Sequence, residues 1–282
     1  MTAERCKNCG AALLGRFCID CGQPAEVHVP STGELIHEAM EGLTHADSRL
    51  WRTLLLLWFK PGKLTNEFIV GRRVSYVPPF RLYLVLSVIF FLLASIHGVK
   101  TDQVIFNDSS DPKGRDTFCQ ELRNTVPMEK LASRIGHACD AVLADNGASL
   151  LHVAVGAAPK AMFIFLPVIA FLHMLLYWFP RHRYVEHLLF FLHLHAMFFS
   201  VAIVLLGLFS IGNTWPALEG PLNFVINPLI WATMIYSLIA MRRVFRRSWP
   251  GTLFKAFVMM IVYFIVFGLG VAGVLVYAAL QL

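Results

Sequence analysis

The sequence predicts an all-α polytopic membrane protein. About five transmembrane helices should follow a small N-terminal zinc ribbon and short amphipathic helices at the interface. Three observations predict this. Only 15% of the 282 residues are charged and 57% are hydrophobic, whereas soluble domains carry about 25% charged residues. Five stretches approach or reach the roughly 20 apolar residues that a spanning helix needs. Cys6, Cys9, Cys18 and Cys21 stand as two C-x2-C pairs near the N-terminus.

Residues 1–30 form the ribbon and its linker. The pairs Cys6/Cys9 and Cys18/Cys21 are separated by eight residues, and each is followed at once by a glycine, Gly10 and Gly22. Two thiolates from one tight turn reach one metal, and a second turn completes the tetrahedron. The glycines accept the positive φ that such turns require. Four thiolates close the coordination sphere, so the zinc is expected to be structural. A redox or disulfide reading is disfavoured by two glycine-closed knuckles in so short a module. These first thirty residues are polar and lack an apolar h-region, so no cleavable signal peptide is expected.

Residues 31–78 read as interfacial. Ser31 and Glu34 form a capping box, and Leu35, Ile36, Ala39, Met40 and Leu43 recur at helical spacing. The run Leu50 to Phe59 is apolar but too short to span, and Pro61-Gly62 stops it. It is expected to lie in the interface or pack under the bundle. A second short helix runs from Leu64 to Val70, closed by Gly71.

The membrane domain covers residues 79–282. Spans are expected at about Pro79–Ile96, Ala161–Phe179, His187–Ser210, Leu222–Met241 and Ala256–Leu280. Seventeen of the 24 Lys and Arg fall on the side that holds the N-terminus. By the positive-inside rule that side is cytosolic, and five spans put the C-terminus outside. The formal charge of +6 therefore reads as topology, and no nucleic acid partner is expected.

The long extracytoplasmic loop 97–158 holds the other two cysteines, Cys119 and Cys139. An oxidising exterior favours a disulfide between them, while a reducing cytosol keeps the N-terminal thiolates free for metal. Two unpaired buried thiols are the alternative.

The ribbon, the motifs LWFKPG (Leu57 to Gly62) and GRRVSYVPP (Gly71 to Pro79), and the run YVEHLLFFLH (Tyr184 to His193) carry a resemblance. They resemble a family of bacterial inner-membrane proteins described as a domain of unknown function with an N-terminal zinc ribbon. The resemblance covers most of the chain except the outside loop. It implies a bacterial inner membrane and no particular activity.

Arg72, Arg73 and Arg81 flank Tyr76 at the mouth of the first span. Their guanidinium forks could clamp an anionic lipid headgroup, although positive-inside anchoring is the simpler reading. The histidines are more pointed. His173 falls in the second span, and His187, His193 and His195 on the third, beside Glu186. His173 and His193 lie at similar distances from the turn between these spans. Glu186, His187, His193 and His173 are therefore expected to form one buried polar site, with His195 to one side. Intramembrane ionisable groups are functional candidates by default, although interhelical packing bonds would account for them equally well.

No nucleophile elbow, phosphate loop or HExxH pattern appears. Whether the chain is an enzyme is therefore open. The first functional reading is a membrane-embedded binding or transport component, contacting lipid, whose ribbon engages a cytosolic protein partner. The alternative is an intramembrane enzyme or electron carrier that uses the histidines with haem or a second metal. A scaffold without substrate is a third, weaker reading.

Overall fold

The structure, a computed structural model, describes residues 5–25, 48–97, 120–121, 124, 132–133, 148–177 and 182–279. Seven α-helices of eight residues or more lie among them: α1 (Ser48–Phe59), α2 (Lys63–Val70), α3 (Pro79–His97), α4 (Ala148–Leu176), α5 (Tyr184–Thr214), α6 (Glu219–Phe245) and α7 (Trp249–Ala279). No strand occurs among the described residues. The expected helix behind Ser31 and both Cys119 and Cys139 lie outside the described residues.

Five of these helices are long and apolar enough to cross a membrane: Pro79–Ile96, Gly156–Leu176, Tyr184–Thr214, Pro216–Phe245 and Trp249–Val274. The chain is thus an all-α protein with five candidate spans. The second departs from the expected bounds: α4 starts at Ala148 and runs unbroken through Pro159 and Lys160. Lys160 is exposed; a long side chain can lay its methylenes on apolar surface and hold its ammonium in water. A lysine is therefore a poor marker of a helix end.

Two compact units divide the chain. The first is residues 1–93 with 166–262, the second 94–165 with 263–282. In the second, Phe165 and Tyr263 meet edge to face at 5.5 Å.

The first unit is built around α5. Of its span, 72% is buried, against 17–22% for α3, α4 and α6 and 6% for α7. Every residue from His187 to Met197 is buried, which is why this segment, its three histidines apart, is apolar on all sides instead of amphipathic. The helix α6 packs on α5, and the short α2 packs on both.

The pair α1 and α2 forms a helical hairpin wedged into this unit. On α1 the exposed face carries Trp51, Leu55 and Phe59, four residues apart, while Thr53 and Leu57 are buried. Leu57, Leu64 and Phe68 join Leu82, Ala196, Met197 and Val201 in one apolar cluster. Thr53 is fully buried yet satisfied: its hydroxyl donates to the Arg49 carbonyl (2.7 Å) and accepts from the Val77 amide (3.0 Å). That amide precedes Pro78-Pro79, where no helical acceptor exists for it.

The end of α2 is a Schellman motif. Gly71, at φ 97°, gives its amide to Phe68 O, and the Arg72 amide reaches Glu67 O at 2.8 Å. The chain is thereby turned so that Gly71 to Ser75 lies open to a neighbour.

Candidate functional site

The four N-terminal cysteines come together. The two knuckles repeat one local design. Gly10 N donates to Cys6 O and Gly22 N to Cys18 O, both at 2.9 Å; Cys6 N donates to Ala11 O and Cys18 N to Gln23 O, both at 2.8 Å. Gly10 and Gly22 sit at φ 82° and 71°, a conformation that non-glycine residues rarely adopt. All four Sγ atoms lie within 4.8 Å of one another. The Cys6–Cys21 and Cys9–Cys18 sulfurs are 3.6 and 3.5 Å apart. That is far too long for a disulfide and close to the roughly 3.8 Å edge of a tetrahedron with metal–sulfur bonds of about 2.3 Å. The donor set therefore fits a metal such as zinc.

Electrostatics favours a cation there. The Cys9 amide, aided by that of Asn8, holds the Cys6 thiol down to about 6. The Ala11 amide lowers Cys9, but its sulfur neighbours, Cys18 foremost, outweigh it and push Cys9 up to about 12. Four thiolates this close cannot all ionise unless a cation compensates them.

This module does not hang free. Gln23, only 2% exposed, turns its side-chain amide onto the backbone after α2. Its Nε2 donates to Gly71 O (3.0 Å) and its Oε1 accepts from the Arg73 amide (3.4 Å). The Ser75 hydroxyl donates to Asn8 Oδ1 at 2.9 Å, and Arg72 Nε donates to Lys7 O at 3.3 Å. The side-chain amide of Gln23 can pair with a peptide in both directions because it carries both a donor and an acceptor.

These bonds occupy two of the three arginines expected to clamp a headgroup. Arg72 also pairs with Glu67 at 3.2 Å, and Arg73 Nε donates to Phe68 O at 3.4 Å. Arg81 sits half-buried in the first turn of α3.

The histidines are brought together differently from the expected single site. His173 Nδ1 meets His187 Nδ1 at 2.7 Å. Glu186 bonds His182 Nδ1 at 2.8 Å instead. His193 turns to α2, where its Nδ1 lies 3.1 Å from Thr65 Oγ1 and its ring packs on Phe68. His195 donates Nδ1–H to Phe191 O of its own helix, 2.9 Å away. The expected cluster is thus parted, and the reason is rotation. His193 stands six positions after His187, which at 100° each puts them about 120° apart around α5. Similar depth was insufficient, since α4 can meet only one of those faces.

His193 also borders a cavity of about 10 Å³, with Leu57, Gly62, Leu64, Phe190, Leu194, Tyr236 and Ala240 among the lining. That volume is about the least that holds one water. We expect His193→Leu to lower stability by about 1–3 kcal/mol, because the Thr65 hydroxyl then lies buried without its partner. Thermal unfolding in detergent reads this, and adding Thr65→Val should recover part of the loss. A double mutant no better than the single one would show that the bond matters little.

His182, Thr65 and Gln23 were missed as site residues. His182 stands four residues before Glu186, a spacing that flags ion pairs. Thr65 and Gln23 meet partners 128 and 48 residues away, and no local pattern announces them. No third His, Cys, Asp or Glu atom converges on the paired imidazoles, since the four-cysteine group is the one such cluster among the described residues.

No curated protein and no solved structure matches the chain. Residues 47–91, from just before α1 into α3, match the family described as Protein of unknown function (DUF3667), and they contain the Gly62 turn, Thr65 and the segment that receives Gln23.

Proposed function

We propose that this integral membrane protein is a binding component of the bacterial inner membrane. In this reading its four-cysteine module is a structural zinc ribbon, held on the cytosolic side and offered to a cytosolic protein. One observation carries it. The module is clasped through Gln23 on one side, while Leu14, Phe17 and Ile19 are 77%, 63% and 75% exposed. A small module fixed in place with three large apolar side chains open is suited to an aromatic-anchored protein contact. The closed thiolate set gives zinc a structural role, so it would shape this surface without doing chemistry.

A photo-crosslinking residue at Phe17 in growing cells tests the reading. We expect a discrete adduct with a soluble protein, weakened by Leu14→Ser and Ile19→Ser. Adducts with lipid alone would overturn it.

Orientation rests on the positive-inside rule. A reporter fused after Leu282 should be extracytoplasmic, and an impermeant thiol reagent should not reach Cys9 in intact cells, although this thiol is exposed within the fold. Labelling of Cys9 without permeabilisation would invert the topology.

A further inference from the structure

We propose that His173 and His187 form a proton-binding pair inside the membrane domain, served from water by His182 and Glu186. The proposal is independent of zinc and of the partner surface.

The two rings are 1% and 0% exposed. Two nitrogens 2.7 Å apart must hold a proton between them, because bare lone pairs would repel. In a neutral pair, the ring that donates from Nδ1 has a bare Nε2, and its partner must carry its proton on Nε2. Both Nε2 atoms are buried without a partner. The pair therefore ends in one unmet acceptor and one unmet donor. Buried polar atoms are rarely left so, and a bare Nε2 on a hydrogen-bonded imidazole pair is a site that can take up a proton.

The balance is simple. A proton binds the bare Nε2 of the first ring, which becomes an imidazolium. Its Nδ1 proton passes to Nδ1 of the second ring, which is then the imidazolium. Reversal of these steps returns the proton through the first ring's Nε2 to His182 and on to water, so one proton enters, one leaves by the same path, and the neutral pair is restored.

The surroundings fit a transient cation. Phe245 stacks on His187 at 4.9 Å with planes 14° apart, and Phe190 stacks on His173 at 5.9 Å with planes 17° apart. Tyr177 and Phe191 approach His173 at 4.6 and 5.1 Å. Aromatic faces within about 6 Å stabilise a cation. Lys255, whose Nζ lies 4.1 Å from the Tyr177 ring centre and donates to Leu176 O, opposes a lasting charge. Glu186 reaches the pair through His182. The aromatic rings support a cation on the pair while a proton passes, and the Lys255 ammonium works against keeping it there.

His182 is the way in. Its ring stands edge-on to His187 at 6.0 Å, its Nδ1 is held by Glu186, and both side chains are about one-fifth exposed. Its own Nε2 is also unpartnered. This partly exposed pair stands at the Tyr184 end of α5, and the two buried rings lie beyond it.

Nitrogen NMR of ¹⁵N-histidine-labelled protein in nanodiscs tests this. We expect one Nδ1–H tautomer coupled through its hydrogen bond to a second imidazole, with both signals lost in His187→Phe. His182→Ala should keep that coupled pair and slow its exchange with solvent protons at least tenfold. A pure packing role would leave exchange unchanged. Two Nε2–H tautomers without coupling would overturn the pair, and unchanged exchange in H182A would overturn the path. Displacement of both signals by one equivalent of zinc beyond that held by the cysteines would make the ligand a metal and end the proposal.

Discussion

Protein purified without chelator is expected to carry one zinc ion per chain, and Cys18→Ser to carry none. The expectation rests on four Sγ atoms within 4.8 Å at separations that match a tetrahedral metal site. Apparent binding energies at such sites are about 10–16 kcal/mol at neutral pH, so the change is all or nothing. Cys18 is the best test because it is buried at 2% and its amide also anchors Gln23 O. Losing the metal therefore loosens the knuckle that delivers Gln23 to Gly71. We expect C18S, and wild type stripped by chelator, to expose the segment from Gly71 to Ser75 to protease. The apolar cluster around Leu57 and Ala196 stands apart from the cysteines, so the membrane helices should stay folded. Elemental analysis and limited proteolysis read the two effects. Full zinc content in C18S would sink the metal assignment, and unchanged proteolysis would sink the coupling.

The difference between these two parts shows what the sequence could disclose. Knuckle spacing is a local property. A metal needs two thiolates from one turn, so Cys6/Cys9 and Cys18/Cys21 declare themselves within a few residues. Span content is local too, since a lipid-facing helix must be apolar over its length. Helix ends were less legible, and Lys160 shows why: its charge reaches water from within the helix. Pairings between helices are legible only in part. Depth places His173 with both His187 and His193, and the structure pairs it with His187 while His193 turns to Thr65. Arg72 and Arg73 read as loose cationic forks because nothing in their neighbourhood discloses Lys7 O or Gln23 as partners. In each case the missing quantity was the azimuth of one element against another, which tertiary packing sets and local composition does not encode.

That packing is most exposed to test at Gly62, where we expect Gly62→Ala to be strongly destabilising and Gly62→Val to prevent accumulation of folded protein. Gly62 opens α2 at φ 69° and ψ −5°, and a side chain in the left-handed region costs roughly 1–2 kcal/mol. Space adds a second cost. A Cβ here would lie 2.8 Å from Ala240 O, 3.0 Å from Val244 Cγ2 and 3.1 Å from Ala240 Cα. Two of these are backbone atoms of α6 and cannot swing aside, so the hairpin would have to back away. Its fastenings would go with it: Arg243 Nη1 donates to Pro61 O at 2.7 Å, Asn66 Nδ2 reaches Arg243 O at 3.4 Å, and the Tyr236 hydroxyl donates to Leu57 O. The overpacking term alone is about 1–3 kcal/mol, so the total for alanine should be about 2–5 kcal/mol. Displacing α2 also withdraws Thr65 from His193 and moves Gly71, which receives Gln23. One methyl group at residue 62 should therefore disturb both the cysteine module and the buried histidine on α5. Gly220→Ala, in the first turn of α6, is the control, since its Cβ meets nothing within 4 Å. Thermal unfolding in detergent should separate the two variants widely. A G62A protein that melts with wild type would mean that the hairpin does not pack against α6 as described.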